Sequence, residues 1–233
     1  MSPKNTKLAI RPTDQEQVWG IVYLLFSILM LPTLLRLLNG LLPVPLENAW
    51  FNFLYFSCNF LFVTWIFHGF FKRCVVHAGK HTWRFLAAVL IGIAAYWLLN
   101  YLTSLILGWI SKDYVNLNDS TVLTMAHGHF PIMLLGTVFL VPVAEETLHR
   151  GLVFGSLYSK NHCMAYVISA AVFSAVHIIG YIGVYDPLHL LVAFLQYVPA
   201  GLVLAWTYRF SGSIFAPMII HATINAIGLF ALR

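Results

Sequence analysis

The sequence predicts an all-α, polytopic transmembrane helical bundle of about seven spans, on three observations. Of its 233 residues, 60% are hydrophobic and 9% charged, with a mean hydropathy of +0.82; soluble domains carry roughly 25% charged residues. The apolar residues fall in runs of about 20, the length a helix needs to cross the hydrocarbon layer. Most lysines and arginines fall in the breaks between runs, on alternate connections.

Residues 1–17 are polar and lead into an apolar run of full spanning length, without a short core and a small-residue cleavage site, so no cleaved signal peptide is expected. The first span is placed at 18–38, with Arg36 near enough to its end to extend its head to the interface. A loop with Pro43, Pro45 and Glu47 precedes the second span, 49–71, which leads into a basic loop carrying Lys72, Arg73, Lys80 and Arg84. The third span covers 85–110, and a polar loop with Lys112, Asp113 and Asp119 follows. The fourth lies in the run 130–158 and ends near Lys160. The fifth covers 164–182, and the connection after it, with Tyr185, Asp186 and Pro187, has no lysine or arginine. The sixth covers 188–208 and ends at Arg209 in a Ser-Gly-Ser turn, and the seventh covers 214–232.

Alternating the loops puts Lys4, Lys7, Arg11, the Lys72 to Arg84 cluster, Lys160 and Arg209 on one side, against Lys112 and Arg233 on the other. That asymmetry predicts a cytoplasmic N-terminus. Seven spans with short connections leave no room for a separate soluble domain. The formal charge of +5 reflects the basic cytoplasmic loops, and no nucleic-acid partner is expected. Cys58, Cys74 and Cys163 are odd in number and lack CxxC spacing, so they read as packing residues.

The fourth span breaks the apolar rule. Glu145, Glu146 and Arg150 together oppose insertion by roughly 8–10 kcal/mol unless protein groups pair them. An i,i+4 spacing puts Glu146 and Arg150 on one face, where they can pair, while Glu145 points about 100° away and needs a partner from another helix. His68, Asn100 and Gln196 read as interfacial or interhelical hydrogen-bonding residues. Phe173 and His177 share a face of the fifth span, and His221 and Asn225 share a face of the seventh. At ~1.5 Å per residue, Glu145 and His177 both come out about 20 Å deep and His221 with Asn225 about 15–20 Å deep. Three spans thus bring polar groups to one level.

A carboxylate and a neutral imidazole in an apolar cavity make a water-activating pair, because desolvation raises the basicity of the carboxylate. Glu145 is then the general base and His177 its helper. His221 and Asn225 supply donors for a developing oxyanion, the Glu146–Arg150 pair is structural, and Pro142 opens the helix by removing a backbone bond. Two histidines and a glutamate also suit zinc, so a metal-dependent alternative would use Glu145, His177 and His221, although there is no HExxH. Otherwise no cofactor is expected.

EExxxR at Glu145 to Arg150, FxxxH at Phe173 to His177 and HxxxN at His221 to Asn225 resemble the ordered motifs of the CPBP family, the CAAX prenyl endopeptidases with bacterial Abi and bacteriocin-processing or self-immunity proteins. The resemblance covers about residues 125–230. It implies an intramembrane endopeptidase of the glutamate type, metal-free, in which the first glutamate and first histidine activate water and the second histidine and the asparagine bind the oxyanion. Those positions here are Glu145, His177, His221 and Asn225. A third motif matches only around Phe194, Ala200 and Gly201 and receives no catalytic role. The resemblance divides the chain into a cytoplasmic segment (1–17), N-terminal spans (18–124) and a catalytic core (125–233). It also implies a membrane-associated peptide or protein substrate, a bilayer setting, and a place in a bacterial cell membrane in peptide maturation or bacteriocin self-immunity. A proton-coupled transporter would need an inverted repeat with paired broken helices, which the sequence lacks. A non-enzymatic immunity protein is the other alternative, and the complete Glu, His, His and Asn set speaks against it.

Overall fold

The computed structural model describes residues 7–111 and 116–231, and among these no strand occurs beyond one isolated bridge pair, Ile182 with Tyr185. α1 (Asp14–Leu29) opens with a capping box in which Thr13 Oγ1 accepts the Glu16 N–H and the Glu16 carboxylate accepts the Thr13 N–H. The chain then bends by 47° into α2 (Leu31–Gly40). Pro32 has no N–H for the Ile28 carbonyl and its ring crowds that oxygen, which accounts for the bend. The predicted first span is therefore present but broken.

α3 (Asn48–Ile66) stops short of the predicted end of the second span. The backbone leaves helical geometry at Phe67 (φ −102°, ψ 16°), and the basic stretch continues as a separate helix, α4 (His68–Lys80), where a loop was expected. The N-terminal segment supplies the reason for that order. Arg73 reaches the Glu16 carboxylate at 2.5 Å and the Arg11 carbonyl at 3.4 Å, so α4 is tied at its middle to the start of α1 and the segment before it. Cys74 is fully buried there, and burial pushes its thiol up to about 12, in keeping with a packing role. α5 (Thr82–Ile110) follows as a single long span.

α6 (Leu117–Leu134) corrects the boundary of the fourth span, which starts well before residue 130. Asn116 caps it by accepting the Asp119 N–H at 3.1 Å, so a side-chain amide sets the start where hydropathy does not. The helix runs on through π-wound turns at Leu135–Leu140, α7 (Val141–Glu146), further π-wound turns at Thr147–Phe154, and α8 (Gly155–Tyr158). These 42 residues exceed what a ~30 Å hydrocarbon layer requires. A break in helical geometry at His129 (φ −136°, ψ 41°), two residues before Pro131, separates the first part from the apolar crossing. The His129 Nε2 and the Glu47 carboxylate are hydrogen-bonded there at 2.7 Å.

α9 (His162–Ile178), α10 (Pro187–Ser211) and α11 (Phe215–Ala231) complete the bundle. Asp186 caps α10 by accepting the N–H groups of Leu188 and His189. α10 ends at Gly212 in the left-handed region (φ 71°), where a Cβ would lie 2.4 Å from His77 Nε2. Gly201 is the close-approach point between α9 and α10, since a Cβ there would stand 2.8 Å from the Ala170 Cα. Packing is thus a sufficient reason for that glycine.

Among the described residues five helical stretches are long and apolar enough to cross a membrane, and the bent α1–α2 pair makes six. The seventh predicted span is α11, whose 17 residues sit at the short end of the crossing range. The chain is an all-α integral membrane protein. Its cationic segments meet at one end of the bundle: Tyr208 donates to the Ile10 carbonyl at 2.6 Å, Arg209 lies over the Tyr158 ring, and Arg84 lies over Phe210. Lys4, Lys112, Asp113 and Arg233, which entered the loop assignment, lie outside the described residues.

Candidate active site

The site begins with backbone bookkeeping. Pro142 has no N–H, so in the π register that precedes it the Thr137 carbonyl loses its donor. Asn225 Nδ2 donates to that oxygen at 2.7 Å, which ties α11 to the glutamate-bearing helix. In the second π-wound segment the Ser169 hydroxyl of α9 donates to the His149 carbonyl at 2.9 Å. The irregular helix is therefore fastened on both sides by the helices that carry the candidate histidines. Asn225→Ala should leave the Thr137 carbonyl short of a donor and cost about 1–3 kcal/mol. A thermal unfolding midpoint unchanged from wild type in detergent would contradict this.

Glu146 and Arg150 are fully buried, and Arg150 Nη1 donates to Glu146 Oε1 at 3.0 Å, as the i,i+4 spacing predicts. The same oxygen also meets His221 Nδ1 at 2.7 Å. His221 thus pairs with Glu146, and Asn225 turns one amide N–H to Thr137. What remains for a ligand is His221 Nε2 and the second Asn225 N–H.

Glu145 faces the other way, as its angular offset requires. Its Oε2 stands 3.9 Å from His177 Nε2, with the glutamate side chain 25% and the histidine 11% exposed. That distance exceeds a direct hydrogen bond and lets one small molecule touch both atoms. The His177 Nδ1 lies 2.8 Å from the Phe173 carbonyl, which can only accept, so Nδ1 carries the hydrogen and Nε2 offers its lone pair toward Glu145. The ring is clamped between Tyr197 (centroids 4.2 Å apart, 29°) and Phe173 (4.4 Å). Tyr197 in turn donates its hydroxyl to Asn116 Oδ1 at 2.8 Å.

Phe173 is the hub of the arrangement. The Arg150 guanidinium lies 4.1 Å from its ring centroid, and the rings of His149, His177 and His221 stand around it. A cavity of about 50 Å³ behind Glu145 is lined by Ser27, Tyr55, Asn59, Val176 and His149 among others, so α1 and α3 help to close the site.

Five of the seven sequence-predicted residues form two subsets, Glu145 with His177 and Glu146 with Arg150 and His221; Phe173 links the two, and Asn225 ties α11 to the Thr137 carbonyl. Tyr197, Thr137 and His149 were not singled out from the sequence. For His149 a signal existed, because it stands four residues after Glu145. Among the described residues no group of three His, Cys, Asp or Glu side chains is placed to hold a metal ion.

Residues 127–227, which contain every one of these motifs, match the family described as type II CAAX prenyl endopeptidase Rce1-like. The chain is 31% identical over 96 residues to YdiL of Bacillus subtilis, a candidate membrane peptidase by name, covering 41% of this chain and 35% of that protein. It is 28% identical over 110 residues to the UPF0177 protein YxdF of Lactococcus lactis, covering 46% and 54%. The chain thus spans about a third and about half of the length of these two relatives. No solved structure gives a significant match. Three ordered motifs, their convergence around Phe173 and the match across 127–227 together make this region of the chain similar to the Rce1-like CAAX prenyl endopeptidase family.

Proposed function

We propose that the chain is an intramembrane endopeptidase of the glutamate type, hydrolysing a peptide bond in a membrane-associated peptide or protein. The observation that carries this is the Glu145–His177 juxtaposition at 3.9 Å, partly open, beside a buried Glu146–Arg150–His221 assembly. Glu145 takes a proton from water while His177 Nε2 accepts the other O–H, and the water oxygen adds to the carbonyl carbon. The second Asn225 N–H and His221 Nε2–H receive the oxyanion. Because His221 Nδ1 faces the Glu146 carboxylate, this role needs a hydrogen on both ring nitrogens. As the C–N bond breaks, the proton held by Glu145 passes to the leaving nitrogen. Distances at apo sites of this kind tighten when substrate binds.

The family match across residues 127–227 and the name of the B. subtilis relative support the same chemistry. In this proposal residues 125–233 form the catalytic core, the N-terminus is cytoplasmic, the setting is a bacterial cell membrane, and the role is peptide maturation or bacteriocin self-immunity. No metal takes part.

The test compares secreted and membrane peptides from cells carrying wild-type or Glu145→Ala protein at equal membrane levels. Fragments present only with wild type are expected, and identical peptide sets would overturn the proposal. Cleavage of such a peptide by purified protein should survive a strong chelator; loss restored by zinc alone would replace the metal-free mechanism by the metal-dependent one.

A further inference from the structure

Two buried hydrogen-bond acceptors line one cavity, and the catalysis above uses only one of them. His149 is 2% exposed and shares a helix face with Glu145. Its Nδ1 lies 2.8 Å from the Glu145 carbonyl, which fixes the ring hydrogen on Nδ1 and leaves Nε2 as a lone pair. Nε2 is buried and receives no hydrogen bond from the described residues, and the same holds for Glu145 Oε2. Both side chains line the cavity of about 50 Å³ between α1, α3, α7 and α9.

The hydroxyl groups around that cavity have other partners. Tyr55 donates to the Ser27 carbonyl at 3.3 Å and Ser27 donates to the Leu24 carbonyl at 2.9 Å. Arg150 has further N–H groups but does not line the cavity. Asn59, which does, gives one N–H to the Tyr55 carbonyl and retains the other. A group that donates twice and accepts once would therefore complete the cavity, and water does both. The volume exceeds the ~10–15 Å³ that one water requires, and three partners is the usual number for a buried water.

We propose that His149 is a positioning residue of the active site, sharing with Glu145 a water in this cavity that fixes the carboxylate in the orientation facing His177. This water is distinct from the attacking one and is not consumed. The inference rests on the proposed role of Glu145 as base; Oε2, the oxygen that stands 3.9 Å from His177 Nε2, accepts from this water with its second lone pair. Phenylalanine at 149 fills the same space and removes the unpartnered lone pair that holds the water. Glutamine can still accept a hydrogen from the water.

The experiment uses the full chain in lipid nanodiscs, with kinetics on a peptide identified by the cellular comparison and ¹⁵N spectra of the histidine rings. His149→Phe is expected to lower kcat about 10- to 100-fold with KM unchanged and an unfolding temperature equal to or above wild type. His149→Gln should recover most of kcat. In the spectra, Glu145→Ala should move the His149 Nε2 resonance while leaving the Nδ1-protonated form in place. A wild-type kcat in His149→Phe would overturn the inference, as would parallel losses of kcat and stability in both variants. An Nε2 resonance unmoved by Glu145→Ala overturns it without reference to cleavage. Equal cleavage by wild type and Glu145→Ala would instead refute the role of Glu145 as base, and the spectra would still decide the shared water.

Discussion

Purified protein with glutamine or alanine at Glu145, or alanine at His177, should insert and fold while losing about 10²- to 10⁴-fold of its cleavage rate, the usual worth of a positioned general base. Folding survives because Glu145 has no ion-pair partner in its own helix and is one-quarter exposed, so its removal strands no buried charge. Glutamine at 145 is the sharper probe, since it preserves shape and removes only basicity. Alanine at 177 also removes a ring held between Phe173 and Tyr197, at a cost of about 0.5–1.5 kcal/mol for each ring pair. That is small beside the activity loss. Steady-state kinetics with an unfolding curve for each variant separate the two effects, and retained turnover in Glu145→Gln would remove Glu145 from the chemistry.

How far the sequence reaches is visible in the same residues. Depth along a helix follows from residue count, so the common level of Glu145 and His177 was legible and is realised at 3.9 Å. Azimuth is not. Counting places His221 at the right height but cannot say which glutamate its ring meets, and helix rotation turns it to Glu146. The Glu146–Arg150 pair needed only the i,i+4 rule, because both partners belong to one helix. Asn225 was legible as a polar group at the site, but its bond to the Thr137 carbonyl depends on the π register ahead of Pro142, which residue patterns do not encode. The spans themselves follow from hydropathy, whereas the starts of α4 and α6 are set by Phe67 geometry and the Asn116 cap, local features that an apolar window averages away. His149 lay within reach of the spacing rule, yet spacing does not distinguish a satisfied ring nitrogen from a bare one.

Glu146→Ala should be the most damaging change to the fold. Arg150 would remain wholly buried without its carboxylate, and breaking a buried pair in this way costs about 3–5 kcal/mol. The Phe173 face contributes about 2 kcal/mol to a desolvated guanidinium and does not replace the lost partner. Against a total stability of roughly 5–15 kcal/mol, little folded protein should be recovered from membranes. Arg150→Ala should be milder, because His221 stays on Glu146 as a counter-charge when protonated. The informative variant is the double change Glu146→Leu with Arg150→Met, which removes both charges and fills their space. Replacing a buried pair with apolar groups of similar size is often neutral for stability, so yield and unfolding temperature should return toward wild type. Cleavage should not return, because the His221 ring would have lost the acceptor that fixes Nδ1 and directs Nε2. Normal cleavage in that double variant would mean that the buried assembly only holds the helices together and that His221 acts without Glu146. Recovered folding with absent cleavage would make one carboxylate serve both the bundle and the site, which is why a membrane helix can retain so costly a group.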